Sequence, residues 1–279
     1  MIHIFYHSAD LDGHCSGAIA FRHLEPNTDN IRSYGINYGQ DFPFDVINRA
    51  DTVYMLDFCL QPFDDMLKLN ESCNLVWIDH HKSAIEEADK HPEIFIKGAR
   101  EIGKSGCELT WEYMHDSKPM PKGVNYLGRY DVWDLSDPVY LKFQYGMKMH
   151  DTISPNAIVW SKLLADDDNF LEFVTQSGDI VLTYKSQEDM KYVSSYAFPI
   201  EFEGYKTIAC NKGFTSSQLF DSIEEDYDIL LTFVRMKEGR WTISMYTTKD
   251  DIDVGAIAKS KGGGGHKGAA GFQADELPF

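Results

Sequence analysis

An α/β protein of two domains is predicted by three observations. Short apolar runs at strand length alternate with helical patterns through the first hundred residues, polar residues cluster where those runs end, and a fresh strand-rich stretch begins near Phe198. The first domain is expected to be a mostly parallel sheet flanked by helices, followed by a linker helix and a smaller C-terminal α/β domain. Boundaries are placed at 1–185, 186–197 and 198–279. With 279 residues, 43% of them hydrophobic and 13% aromatic, the chain can bury two cores, which excludes collagenous, low-complexity and disordered classes.

Ile2 to His7, Ile31 to Tyr38, Thr52 to Asp57 and Leu75 to Asp79 carry the β-branched and aromatic residues of strands. Between them, His14 to Leu24 and Pro62 to Leu69 show helical spacing, the second opening on a proline allowed in a first turn. From about Ser105 to Ser195 the pattern is helical, ending in one long helix over about Asn169 to Tyr196. Strands return at Ile200 to Phe202, Tyr205 to Cys210, Ile229 to Arg235 and Trp241 to Thr247, with a short helix over Val254 to Lys259.

Acidic residues outnumber basic ones by 44 to 26, a formal charge of -18, which argues against a broad basic surface for long nucleic acid or an anionic membrane. The surplus carboxylates are either a solvated skin or, in part, cation ligands. Met1 to His7 lacks a basic segment leading into a long apolar one, and no run approaches the ~18 apolar residues of a membrane span, so a soluble, cytoplasmic chain is expected. Cys15, Cys59, Cys73, Cys107 and Cys210 are scattered, as suits free thiols in a reducing compartment.

Three of the four N-terminal strand ends carry residues poorly suited to a core: His7-x-x-Asp10-x-Asp12, Asp57, and Asp79-His80-His81. Singly, each is better read as an acidic turn or a helix cap, with Asp12 a candidate N-cap. Together, a doubly wound sheet brings them to one rim, where so many carboxylates would raise each other's pKa values unless cations intervened. Mixed imidazole and carboxylate ligands suit first-row metals, Mn(II) above all in an oxygen-rich set. Seven side chains exceed the needs of one ion and fit a bridged pair, the arrangement that activates water and clamps a phosphoryl group.

The motifs His7-Ser-Ala-Asp10-Leu-Asp12-Gly13, Asp57, Asp79-His80-His81 and Gly262-Gly-Gly-Gly265-His266-Lys-Gly-Ala-Ala-Gly271, in this order, resemble the DHH phosphoesterase superfamily with its companion DHHA1 domain. The resemblance implies a phosphoesterase using two divalent ions, usually Mn(II), with Mg(II) or Co(II) admissible, that cleaves short oligonucleotides or small nucleotides through a metal-activated hydroxide. It implies that His7, Asp10 and Asp57 hold one ion and that Asp12, Asp57, His80 and Asp131 hold the other. Asp131 comes from Leu127-Gly-Arg-Tyr-Asp131, with Asp134 a rival in that register. Asp79 would orient a ligating histidine, and His81 would face the scissile phosphate.

The glycine run requires positive φ or close backbone approach, and its amides suit a phosphate or terminal nucleotide. Gly263, Gly264, Gly265 and His266 are therefore expected to bind substrate. Where many DHHA1 domains carry Ser-Leu-Arg-Ser, this chain has Ser244-Met-Tyr246-Thr. Tyr246 is then a candidate to stack a base and Arg235 a candidate to supply the missing charge, with an ordinary strand role equally consistent for each. The expected partners are short single strands or small nucleotides gripped across a cleft between domains, not long duplexes or membranes, with a homodimer admissible. A nucleotide phosphatase, a cyclic-dinucleotide phosphodiesterase and a catalytically silent nucleotide-binding module are the alternatives. Asp166 to Asp168 reads as a helix start, and Trp133 as a packing residue.

Overall fold

The computed structural model describes residues 1–279. The chain divides into two compact units, Met1–Leu182 and Thr183–Phe279. In chain order the first unit comprises β1 (Ile2–His7), α1 (Leu11–Leu24), β2 (Ile31–Ile36), β3 (Thr52–Leu56), α2 (Asp64–Ser72), β4 (Asn74–Asp79), α3 (Lys82–Ala88) and β5 (Lys97–Arg100). Helices α4 (Gly106–His115), α5 (Lys122–Asp131), α6 (Pro138–Met147) and α7 (Ile158–Leu164) follow, and α8 (Asp168–Tyr196) runs on into the second unit.

The five strands of the first unit are all parallel, in the order β2-β1-β3-β4-β5. The near-continuous apolar runs of β1, β3 and β4 follow from burial of both faces. Ile4, Tyr6, Leu56 and Ile78 pack on Ala20 of α1 and Leu109 of α4, while Phe5, Val53, Met55 and Trp77 pack on Met66 and Leu69 of α2. A further core forms among the helices, where Ile19, Trp111, Leu127, Phe143, Trp160 and Val174 meet. β5 was not expected, because Lys97-Gly-Ala-Arg100 is a short edge strand that pairs only with β4 and has no apolar run to announce it.

The second unit holds β6 (Ala197–Phe202), β7 (Tyr205–Asn211), β8 (Ile229–Arg235), β9 (Trp241–Tyr246), α9 (Val254–Ser260), β10 (Gly264–His266) and β11 (Ala269–Ala274). They form a mixed sheet, β10-β11-β9-β8-β7-β6, in which only β7 and β8 pair in parallel. Leu231, Phe233, Ile243, Met245 and Phe272 on one face bury Val254 and Ala258 of α9. Ile208 and Cys210 on the other pack with Val193, Leu219 and Phe220.

All five cysteines are free, four of them buried and Cys73 half-buried. Asp167 caps the start of α8 by accepting from the Phe170 amide, as its charge run suggests. No helix is long and apolar enough to cross a membrane.

Candidate metal centre

The strand order reverses between β1 and β3, and in parallel sheets of this kind ligands bind at that switch point, beyond the carboxyl ends of the strands. His7 ends β1, Asp57 follows β3, and His80 follows β4. Asp10, rather than Asp12, is the N-cap of α1, its Oδ1 accepting from the Gly13 amide at 2.9 Å, so Asp12 falls within the first turn and turns toward the sheet. Asp57 adopts φ +54, an uncommon conformation for a residue with a side chain, as the chain leaves the ladder. The side chain it presents is 1% exposed.

Two sets of ligand-type atoms converge on Asp57. His7 Nδ1 lies 3.0 Å from Asp10 Oδ2 and 3.7 Å from Asp57 Oδ2. His80 Nε2 lies 3.2 Å from Asp57 Oδ1, 3.3 Å from Asp131 Oδ2 and 3.8 Å from Asp12 Oδ2. Thus Asp57 Oδ2 faces His7, which groups with Asp10, while Asp57 Oδ1 faces His80, which groups both with Asp12 and Asp131 and with Asp57 and His81. Asp134 is in neither, since its Oδ1 accepts from the Ser136 amide of the following turn.

The arrangement suits cations better than mutual hydrogen bonding. His7 Nδ1 and Asp57 Oδ1 are buried and close to oppositely charged partners, yet neither has a hydrogen bond of acceptable geometry. Both atoms lie in clusters of ligand-type atoms within 4.8 Å of one another, and a divalent ion fits the donor set. Electrostatics agrees. Burial and then the Asp57 charge push Asp12 up to about 7. Burial, with Asp12 and Asp57, lifts Asp131 well above the carboxylate range. For His7 and His80 burial acts downward, but the surrounding carboxylates outweigh it and raise each to about 10.

A pH dependence follows from these shifts. His7 and His80, raised from 6.5 to about 10, contribute stability that is complete below pH 6.5 and lost as the pH climbs toward 10. Asp12, raised from 3.8 to about 7, favours the fold when protonated, so it acts in the same direction between pH 4 and 7. The metal-free chain is expected to lose about 5 °C or more in Tm between pH 6.5 and 9.5. Mn(II) should raise Tm by a margin that grows with pH, because cations and protons compete for the same atoms. Anaerobic melts with EDTA or Mn(II) check this, and a Tm indifferent to both pH and metal would contradict it.

Asp79 is fully buried. Its Oδ1 accepts from the backbone amides of His80 and His81 and from His81 Nδ1, the last at 2.7 Å, while Oδ2 accepts from Trp77 Nε1. Asp79 is expected to orient a ligating histidine, and the ring it holds is that of His81, which groups with Asp57 and His80 among the ligand-type side chains. The rings of His80 and His81 lie together, their centroids 4.6 Å apart, and both face Asp57 Oδ1, at 3.2 and 3.9 Å.

Several contributors carried no motif. Both oxygens of Asp12 accept amides from the first turn of α4, Gly106 N at 2.7 Å and Cys107 N at 2.8 Å. Gly106 is required there, since a Cβ would come within 2.6 Å of Asp57 Cβ. Glu108 holds the Arg129 guanidinium, with its Oε1 3.1 Å from Arg129 Nε, which ties α4 to the α5 turn bearing Asp131. The signal available for these was Ser105-x-x-Glu108, a capping-box sequence that the structure forms. Asn37, at the end of β2, also reaches His7. Trp133, expected to pack, is 49% exposed at φ +59 where the chain turns out of α5.

In the second unit the glycine run is an edge hairpin instead of an open loop. Gly262 and Gly265 have φ +79 and +140, and a Cβ on Gly263 would lie 2.1 Å from the Gly271 carbonyl. His266 pairs with Ala269, which pairs with Tyr246, so these three form one row across β10, β11 and β9. Tyr246 is half-buried, and its Oη donates to the Thr215 carbonyl. Arg235 does not join that row. It pairs with Trp241 at the opposite end of β9, and its Nε donates to Gly239 in its own turn, so the reading of Arg235 as a replacement charge beside Tyr246 is corrected.

Residues 1–130 match the DHH family, N-terminal domain. The matched residues lie within the first unit, the one that holds the parallel sheet. It is 25% identical over 249 residues to an uncharacterised protein of Acanthamoeba polyphaga mimivirus, across 84% of this chain and 56% of that protein. The chain therefore spans about half the length of the curated relative it matches. Among solved structures, the DHH domain of a protein assigned to a family of ribosomal proteins superimposes with a TM-score of 0.60 at 12% identity, covering 97% of this chain and 82% of the other. RecJ of Thermus thermophilus, crystallised with Mn2+, gives 0.55 at 13% identity, over 98% of this chain and 49% of RecJ. An exopolyphosphatase-related protein of Bacteroides fragilis gives 0.50 at 14% identity, over 99% and 87%. These likenesses establish the fold.

Proposed function

We propose that the protein is a metal-dependent phosphoesterase that hydrolyses short oligonucleotides or small nucleotides. The observation carrying this reading is the division of the two Asp57 oxygens between two sets of ligand-type side chains. His7, Asp10 and Asp57 would hold one divalent ion, and Asp12, Asp57, His80 and Asp131 the other. Bound there, such ions neutralise phosphoryl oxygens and lower the pKa of water. Mn(II) is the ion we propose, on the mixed oxygen and imidazole donors and on the Mn2+ held by the RecJ relative.

The remaining residues prepare the site for charge. The α4 amides hold Asp12 in place without neutralising it. Asp79 keeps a proton on His81 Nδ1, which puts Nε2 on the side away from Asp79. Burial lowers the pKa of His81, but Asp79 and Asp57 outweigh burial and raise it, which favours the protonated ring, the form that can steady a phosphoryl oxygen or donate to a leaving alkoxide. In the second unit, the His266–Ala269–Tyr246 row and the hairpin amides are proposed to bind a nucleotide. The acidic surface, -18 overall, disfavours long polyanions.

The test is release of mononucleotides from di- to pentanucleotides with Mn(II), alongside a long single strand and 3'-phosphoadenosine 5'-phosphate. Short oligonucleotides are expected to be cleaved and the long strand spared. Turnover of the phosphomonoester alone would move the reading to a nucleotide phosphatase. Metal and nucleotide binding without any turnover would make the chain a silent binding module.

A further inference from the structure

We infer that Asn37 is a positioning residue of the metal centre: its Oδ1 holds the His7 ring with the proton on Nε2, so that Nδ1 is the atom presented to the cation shared with Asp10 and Asp57. The inference rests on the two-ion reading above. Ile36 pairs with His7 across β2 and β1, which delivers the next residue, Asn37, to the back of the His7 ring. His7 Nε2 lies 3.3 Å from Asn37 Oδ1.

The identity of that oxygen follows from a second bond. The Tyr38 backbone amide, which can only donate, points at the same Asn37 atom from 2.8 Å, so the atom is the carbonyl oxygen and not the amide nitrogen. An oxygen there is an acceptor only, and the Nε2 facing it must carry a hydrogen. A neutral imidazole has one N–H, which leaves the lone pair on Nδ1, the atom that faces Asp10 and Asp57.

The turn that carries Asn37 is itself braced. The Asn37 amide donates to Gln40 Oε1 at 2.9 Å, the Gln40 amide returns to the Asn37 carbonyl, and Gly39 supplies φ +83. Tyr38 and Phe58 wall the ring, their centroids 5.7 and 5.8 Å from that of His7 and 4.6 Å from each other. Without the Asn37 oxygen the ring would gain from placing its proton on Nδ1, toward Asp10, where it blocks the cation.

The experiment is a Mn(II) titration of the full chain followed by electron paramagnetic resonance of the free ion, on the wild type, Asn37→Leu, Asn37→Ala and Asn37→Asp. The wild type is expected to bind two ions. In Asn37→Leu and Asn37→Ala one ion should bind as in the wild type and the other about 10–100-fold more weakly. Asn37→Asp, which keeps an acceptor, should stay within a few-fold of the wild type. Asn37 is half-buried in a surface turn, and Asn37→Ala guards against misfolding of Asn37→Leu, with circular dichroism as the check. If both acceptor-free variants bind two ions like the wild type, or if Asn37→Asp is as weak as Asn37→Leu, the positioning role is overturned while the metal centre stands. If the wild type binds no Mn(II), the metal centre itself is overturned and this role with it.

Discussion

Replacing Asp57 by asparagine is expected to remove hydrolysis and both cations together, with kcat falling about 10,000-fold or more, the scale of several kcal/mol of transition-state stabilisation. The substitution keeps the shape of a side chain that is 1% exposed but removes one of its two anionic oxygens. No other residue in the site can substitute, because Asp57 alone faces both His7 and His80. Burial acts to raise its pKa, yet His7, His80 and His81 outweigh burial and hold it well below the usual carboxylate range, so it stays ionised when the rest of the site is protonated. Asp10→Asn, at the exposed edge of one set only, should cost one ion and leave the other. Steady-state cleavage of a dinucleotide with Mn(II) and a parallel count of bound metal provide the check. An Asp57→Asn chain that holds two ions and keeps activity within about tenfold of the wild type would remove the bridging role.

His81→Ala is expected to lower kcat by about 100- to 10,000-fold while two ions still bind. Asp79→Asn should reproduce much of that loss, because an amide lacks the negative charge that holds the proton on His81 Nδ1 and, with its oxygen kept at Oδ1, turns its NH2 toward Trp77 Nε1, which can only donate. The double variant should fall little below His81→Ala, since the two residues act as one unit. Metal stoichiometry separates the alternatives. His81 Nδ1 lies 3.9 Å from Asp57 Oδ1, and His81 also groups with Asp57 and His80, so loss of an ion in His81→Ala would make it a ligand instead of the group facing phosphate.

The elements with strong period or strong local chemistry were legible in the sequence. The apolar runs of β1, β3 and β4 announced buried parallel strands, and the polar residues after them marked the rim at which a cluster would form. The long α8 was visible from its uninterrupted helical pattern. Asp131 was separable from Asp134 only by structure, because both lie near the α5 terminus and only helix geometry turns Asp131 to within 3.3 Å of His80. Asp79 shows the same limit: its sequence position beside two histidines could not say which ring it holds, and only the structure places His81 Nδ1 at 2.7 Å from its Oδ1. Arg235 fails for a related reason, since adjacency of strands says nothing of register, and the register sends it to the far end of β9 from Tyr246.

By itself the sequence determined the kinds of donor available, their order along the chain and the strand ends on which they ride, because periodicity and residue chemistry are local properties. Tertiary structure alone decided how those donors are shared. The pairing of β1 with both β2 and β3 brings Asn37 to one side of His7 and Asp57 to the other. Packing of α4 on α1 delivers two amides to Asp12 from residues 94 and 95 positions away. Such contacts depend on register and on the direction of each side chain, which are fixed only when both faces of the sheet are buried.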